Sequence, residues 1–206
     1  MLPRLWGNDR TKPKKNGGLS DNGTGKFSDI DNASLEYIKW LGCSHVWYTG
    51  VIRHSTQASE DGCTPSHPQF VKGKAGSPYA ICDYYDVNAY LADNAEDRMF
   101  EFEQLIKRTH NAGLKVIIDF VPNHVARDYG KVDMTPGHPV LGAEDDKSVH
   151  WREENDFIYY PGETLRLPTE SPKGMKPYFE EPAMATGNNC YTATPGINDW
   201  YETVKI

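Results

Sequence analysis

Apolar positions recur at helical spacing twice and form short unbroken runs twice, and the four segments alternate along the chain. Leu35, Ile38 and Leu41 share one stripe, with Asp31 or Asn32 placed to cap the free amides of the first turn and Gly42 as a stop. A β-prone run follows at once, His45-Val-Trp-Tyr-Thr-Gly50. The second helix is predicted after Asp93 or Asn94, with Met99, Phe102, Leu105, Ile106 and Thr109 on one face and Gly113 at its end. It leads into a strand from Lys115 to Val121. Helix, strand, helix, strand, with apolar strands, predicts βαβ units whose parallel sheet is covered by helices. Between the two units lies a long polar, Gly- and Pro-rich loop, through roughly Tyr79.

After His124 the periodicity stops. Residues 125–195 hold eight of the 14 prolines, many acids and no sustained helical or strand period. Such a stretch is too long for a plain loop. It reads as an irregular subdomain inserted after the strand, and residues 196–206 as the return to the sheet, with a helix beginning in Asn198 to Ile206.

Composition narrows the classes of partner. With 206 residues, 38% hydrophobic and 12% aromatic, the chain has enough apolar material for a core. A net charge of −7 argues against nucleic acid or an anionic membrane as partner, and suits a neutral polar substrate. The one basic cluster, Lys12, Lys14 and Lys15, reads as a solvated loop. Cys43, Cys63, Cys82 and Cys190 form no Cys-x-x-Cys pair, and none of the seven histidines forms His-Glu-x-x-His, so zinc has no motif. Spacing leaves disulfides open. Neither a signal peptide nor a membrane-spanning run is visible, and the compartment is left unassigned.

The densest chemistry is Gly113-Leu-Lys-Val-Ile-Ile-Asp-Phe-Val-Pro-Asn-His124. Asp119 stands where an apolar strand leaves the core, at the end where an α/β barrel places its active residues. A carboxylate there is paired or faces a cleft. Asn123 and His124 add an amide and an imidazole, a set suited to gripping sugar hydroxyls. The pattern Asp-x-x-x-Asn-His behind an apolar strand resembles the first signature region of the α-amylase family of glycoside hydrolases. Upstream, Ser77-Pro-Tyr-Ala-Ile-Cys-Asp-Tyr-Tyr-Asp-Val-Asn88 resembles that family's Gly-Tyr-Asp-x-x-Asp-Tyr stretch, with Ala80 in place of the more frequent Asp.

The resemblance implies the following. The fold is α/β, a partial TIM (β/α)8 barrel holding about the first three strands, with an irregular insert after strand 3. Residues 1–124 are the N-terminal part of the catalytic barrel, 125–195 the inserted subdomain and 196–206 the return to the barrel; Leu2 to Gly7 is the end of the first strand. Asp119 organises the site nearest the cleaved bond, His124 binds the sugar there, Tyr79 is an aromatic platform and Asn123 a calcium ligand. Taken alone, Tyr79 also reads as core filler, and His124 as a structural histidine. Calcium, a hard cation, suits oxygen ligands, one from Asn123 and others from the insert. Trp47, Tyr48, Tyr84, Tyr85 and Tyr90 read as packing; Trp151, Tyr159, Tyr160 and Tyr178 read as the insert's core rather than as stacking surfaces.

The implied activity is retaining hydrolysis of α-linked glucans such as starch, or of malto-oligosaccharides. It needs two carboxylates about 5 Å apart. No catalytic residue is expected in this chain: the resemblance places nucleophile and acid downstream of Ile206, so the remainder of the barrel is needed. The alternative is a non-catalytic carbohydrate-binding or partner-stabilising domain.

Overall fold

The computed structural model describes residues 1–59, 63–131 and 133–206. They divide into two compact units, residues 1–54, 58–64 and 83–120 in the first and 55–57, 65–82 and 121–206 in the second. In the first unit the elements are α1 (Leu19–Asn22), α2 (Asn32–Trp40), β1 (His45–Tyr48), β2 (Ile52–His54), β3 (Ile81–Val87, entering this unit at Asp83), α3 (Arg98–Asn111) and β4 (Lys115–Ile118). In the second they are β5 (His124–Ala126), β6 (Tyr159–Tyr160), β7 (Ala183–Met184) and β8 (Thr203–Lys205).

Both predicted helices form, but the expected cap of the second, Asp93 or Asn94, does not sit at its start: α3 begins after Asp97, which makes no side-chain capping bond, and Asn94 caps the 3-10 turn before it. Asp31 caps α2, its carboxylate accepting from the Ser34 amide at 2.8 Å. Leu35 and Ile38 are buried, whereas Leu41 is the C-cap and lies exposed. Gly42 then turns the chain at φ +85°, a conformation that costs a residue with a Cβ. Ahead of α3 a 3-10 turn spans Ala95–Asp97, and Glu101 reaches back to accept from the amides of Asp93 and Asn94, both at 2.8 Å. Phe102, Leu105 and Thr109 face the core; Met99, expected beside them, is exposed.

β1 and β4 pair in parallel, His45 opposite Lys115 and Tyr48 opposite Ile118, with α3 in the crossover. The core beneath them holds Phe27, Ile30, Leu35, Val46, Tyr48, Val51, Leu91, Phe102 and Leu105. Tyr48 donates to Thr109 Oγ1 at 2.7 Å, and Thr109 donates to the Leu105 carbonyl, so both buried hydroxyls are satisfied. β4 ends at Ile118, three residues before the predicted end. Ile117 and Ile118 stay partly exposed, because among the described residues β4 pairs with β1 alone.

Two departures have clear physical causes. Leu2 to Gly7 is not a strand end: Pro3–Leu5 is a 3-10 turn. Only Met1 runs beside β1, its amino group donating to the Trp47 carbonyl at 2.6 Å and its carbonyl accepting from Thr49 at 2.8 Å. Pro3 has no N–H with which to continue the ladder. β2, within the predicted long loop, pairs with β3, which follows that loop. Asp83 and Asp86 are buried on β3. Asp86 is neutralised by Arg98 through two bonds, at 2.7 and 2.9 Å, and by Arg53 at 3.4 Å.

The second unit holds two short antiparallel pairs, β5 with β8 and β6 with β7, and no α-helix among its described residues. Residues 198–206, expected to start a helix, contain β8 instead. Thr203 and Val204 are β-branched, and β5 supplies the ladder partner, His124 opposite Lys205. At the centre is an ion pair: Arg127, 1% exposed, donates to Glu180 at 2.6 Å and to the Tyr201 carbonyl at 2.5 Å. Glu180 also accepts from the Met184 amide and the Tyr178 hydroxyl. Tyr159 is buried and Tyr178 stacks edge-on against Phe70 at 4.9 Å, as core rings; Trp151, expected with them, is exposed. No helix among the described residues is long and apolar enough to cross a membrane.

Candidate functional site

Asp119 belongs to the first unit and follows β4 directly. One carboxylate oxygen accepts from the indole N–H of Trp47 at 2.7 Å. The other, Oδ2, is shielded from solvent and has no hydrogen-bond partner among the described residues. Trp47, read in the sequence as packing, is therefore half-exposed and holds the carboxylate by its polar edge. A carboxylate fixed on one side with a shielded second oxygen has hydrogen-bonding capacity that this arrangement leaves unspent.

Tyr79, Asn123 and His124 lie together in the second unit. His124 is buried, and its Nε2–H donates to the Tyr79 carbonyl at 3.1 Å. A carbonyl only accepts, so the proton sits on Nε2 and Nδ1 is left to accept from the Asn123 amide at 3.1 Å. Burial pushes the imidazole below its ordinary value, against the Tyr79 bond; the Lys205 ammonium lowers it further. Trp200 packs edge-on against the ring at 4.5 Å. Both ring nitrogens thus have partners. His124 ties down the backbone of Tyr79, whose own side chain stays 40% exposed.

Asn123 does not fit the calcium role expected for it. Its Oδ1 accepts from the ammonium of Lys205, and its Nδ2 donates to His124 and, at 3.4 Å, to the Gly187 carbonyl. Calcium takes six to eight oxygen ligands. Among the described residues no group of three or more His, Cys, Asp or Glu side chains is arranged to hold a metal ion. The oxygen that would ligate a cation already faces a fixed positive charge. Lys205 and Trp200 were not found by sequence reasoning, since both lie where a helix was expected. The alternation of Thr203-Val-Lys205 was the available signal.

Gly187 closes this cluster. A Cβ there would collide with Thr203 Oγ1 and press on His124 Cβ, so glycine lets this turn approach the Thr203 and His124 side chains. A cavity of about 250 Å³ in the same unit is lined in part by Arg127, Lys131, Phe157, Tyr159 and Glu180; Tyr79, Asn123 and His124 are not among its walls.

A family model described as alpha amylase, catalytic domain, matches residues 16–190. Among curated proteins, the chain is 26% identical over 133 residues to a beta/alpha-amylase of Paenibacillus polymyxa, spanning 65% of this chain and 9% of that protein. It is 28% identical over 104 residues to an amino acid transporter heavy chain of Homo sapiens, spanning 50% of this chain and 12% of that protein. Among solved structures, a maltogenic alpha-amylase of Thermotoga neapolitana is 30% identical, with a TM-score of 0.38, over 50% of this chain and 20% of that one. The chain therefore spans a small part of the length of these relatives.

Proposed function

We propose, because the chain belongs to the α-amylase catalytic-domain family, that the protein carrying it acts on α-linked glucans or malto-oligosaccharides by a retaining mechanism. The family's catalytic domain is a TIM barrel. In this reading residues 1–124 are its N-terminal part, about three strands, 125–195 an insert and 196–206 the return. The parallel alignment of Met1, β1 and β4 side by side supports consecutive barrel strands.

The observation that carries the functional reading is Asp119, at the C-terminal end of a parallel strand, held by Trp47 and keeping a shielded oxygen that has no partner among the described residues. Sugar-binding roles go to Asp119 in the first unit and to Tyr79 and His124 in the second. Asp119 accepts from a hydroxyl, the Tyr79 ring covers the apolar face of a pyranose, and His124 fixes the Tyr79 backbone and contacts sugar by its ring edge. The nucleophile and the general acid come from segments beyond Ile206, about 5 Å apart.

Hydrolysis of soluble starch by the full-length protein tests this. Asp119→Ala is expected to abolish turnover with the circular dichroism spectrum unchanged; unchanged turnover would overturn the assignment. A second reading, a non-catalytic partner-stabilising domain, is favoured by the likeness to the transporter heavy chain. A folded full-length protein with no turnover on any α-glucan would select it.

A further inference from the structure

The Asn123 cluster points beyond the choice of substrate. We infer that Lys205 is a built-in cation, whose ammonium does at Asn123 what a bound divalent ion would otherwise do, so that the second unit holds its shape without metal. Three observations carry this. The Lys205 ammonium meets Asn123 Oδ1, and an ammonium only donates, which orients the amide. That orientation turns Nδ2 toward His124 Nδ1 and the Gly187 carbonyl, and so sets which ring nitrogen of His124 carries the proton for Tyr79. Lys205 is itself anchored on both sides of its strand: it pairs with His124 across β5 and β8, and its amide donates to the Ala185 carbonyl at 3.0 Å. The charge is therefore delivered by a strand rather than by a loose surface side chain. One cation joins β5, β8 and the turn at Gly187.

A divalent ion at the same oxygen would have to displace a like charge, and among the described residues no group of three or more His, Cys, Asp or Glu side chains is arranged to join Asn123 in holding it. The prediction is independent of activity, so its failure is distinct from failure of the glucan reading. The test is the melting temperature of the protein in EDTA and in millimolar calcium chloride, for the wild type, Lys205→Arg and Lys205→Met. An occupied calcium site at a hundredfold excess over its dissociation constant would raise the melting temperature of a chain this size by about 5–10 °C. The wild type is expected to melt at the same temperature in both solutions. Lys205→Arg is expected to stay near it, and Lys205→Met to melt lower in both. A wild-type melting temperature that falls in EDTA and recovers with calcium would overturn the inference, as would Lys205→Met behaving like the wild type. Should Lys205→Met not fold, the wild-type comparison and Lys205→Arg still decide the question.

Discussion

Replacing Glu180 by Ala removes the partner of a guanidinium that has no access to water. Arg127 Nη1 loses its carboxylate at 2.6 Å, and the Met184 amide and the Tyr178 hydroxyl lose theirs at 2.9 and 3.1 Å. The pair's own Coulomb energy is largely cancelled by the desolvation of both ions, so the net worth of the bridge is small. The cost of the single change is different, because the charge on Arg127 stays buried and uncompensated. Breaking one side of a buried pair costs about 3–5 kcal/mol. For a chain of this length that corresponds to a fall of roughly 6–20 °C in melting temperature. Urea unfolding followed by tryptophan fluorescence measures it, with Trp151 and Trp200 reporting from the same unit. The double variant Arg127→Met, Glu180→Met is the control: with both charges gone, it is expected to lose less than Glu180→Ala. A single variant within about 1 kcal/mol of the wild type would show that water reaches Arg127, and the account of this core would fail.

Other outcomes follow from the His124 cluster. Burial lowers the His124 pKa, so folding favours its neutral form. The stability it contributes is complete above the unfolded value near 6.5 and is lost as pH falls below that toward the folded value. Melting temperature against pH is therefore expected to decline below about 6.5 more steeply for the wild type than for His124→Gln; parallel profiles would exclude His124 as the source. Gly187→Ala is expected to cost about 1–3 kcal/mol from its clash with Thr203 and His124, read by urea denaturation. A neutral effect there would mean that the turn at Gly187 does not pack closely on Thr203 and His124.

The helices were legible because their signals are local. Stripe and glycine stop of α2 and α3 and the cap of α2 fall within one segment, and Asp31, Gly42 and Gly113 act as their positions suggest. The strands were legible where an apolar run met a parallel partner. What was missed depends on distant partners. β3 carries two buried aspartates, which its local pattern does not announce as a strand, and Arg98 and Arg53 neutralise Asp86 there. β8 looked like a helix start because its partner β5 lies far upstream. Pro3 was read past, although its missing N–H ends the ladder after Met1. At the site, Asp119, Asn123, His124 and Tyr79 were visible as residues, but their hydrogen bonds were not. That His124 spends its proton on the Tyr79 carbonyl, and Asn123 its oxygen on Lys205, needs contacts across dozens of residues.

The glucan reading stands or falls on the stereochemistry of the first product. Proton NMR of maltoheptaose in the presence of the full-length protein resolves the newly formed anomeric proton before mutarotation. The α-anomer appearing first is expected, since a double displacement through a glycosyl-enzyme keeps the configuration. The β-anomer appearing first, or no cleavage by a protein shown to be folded, would contradict it.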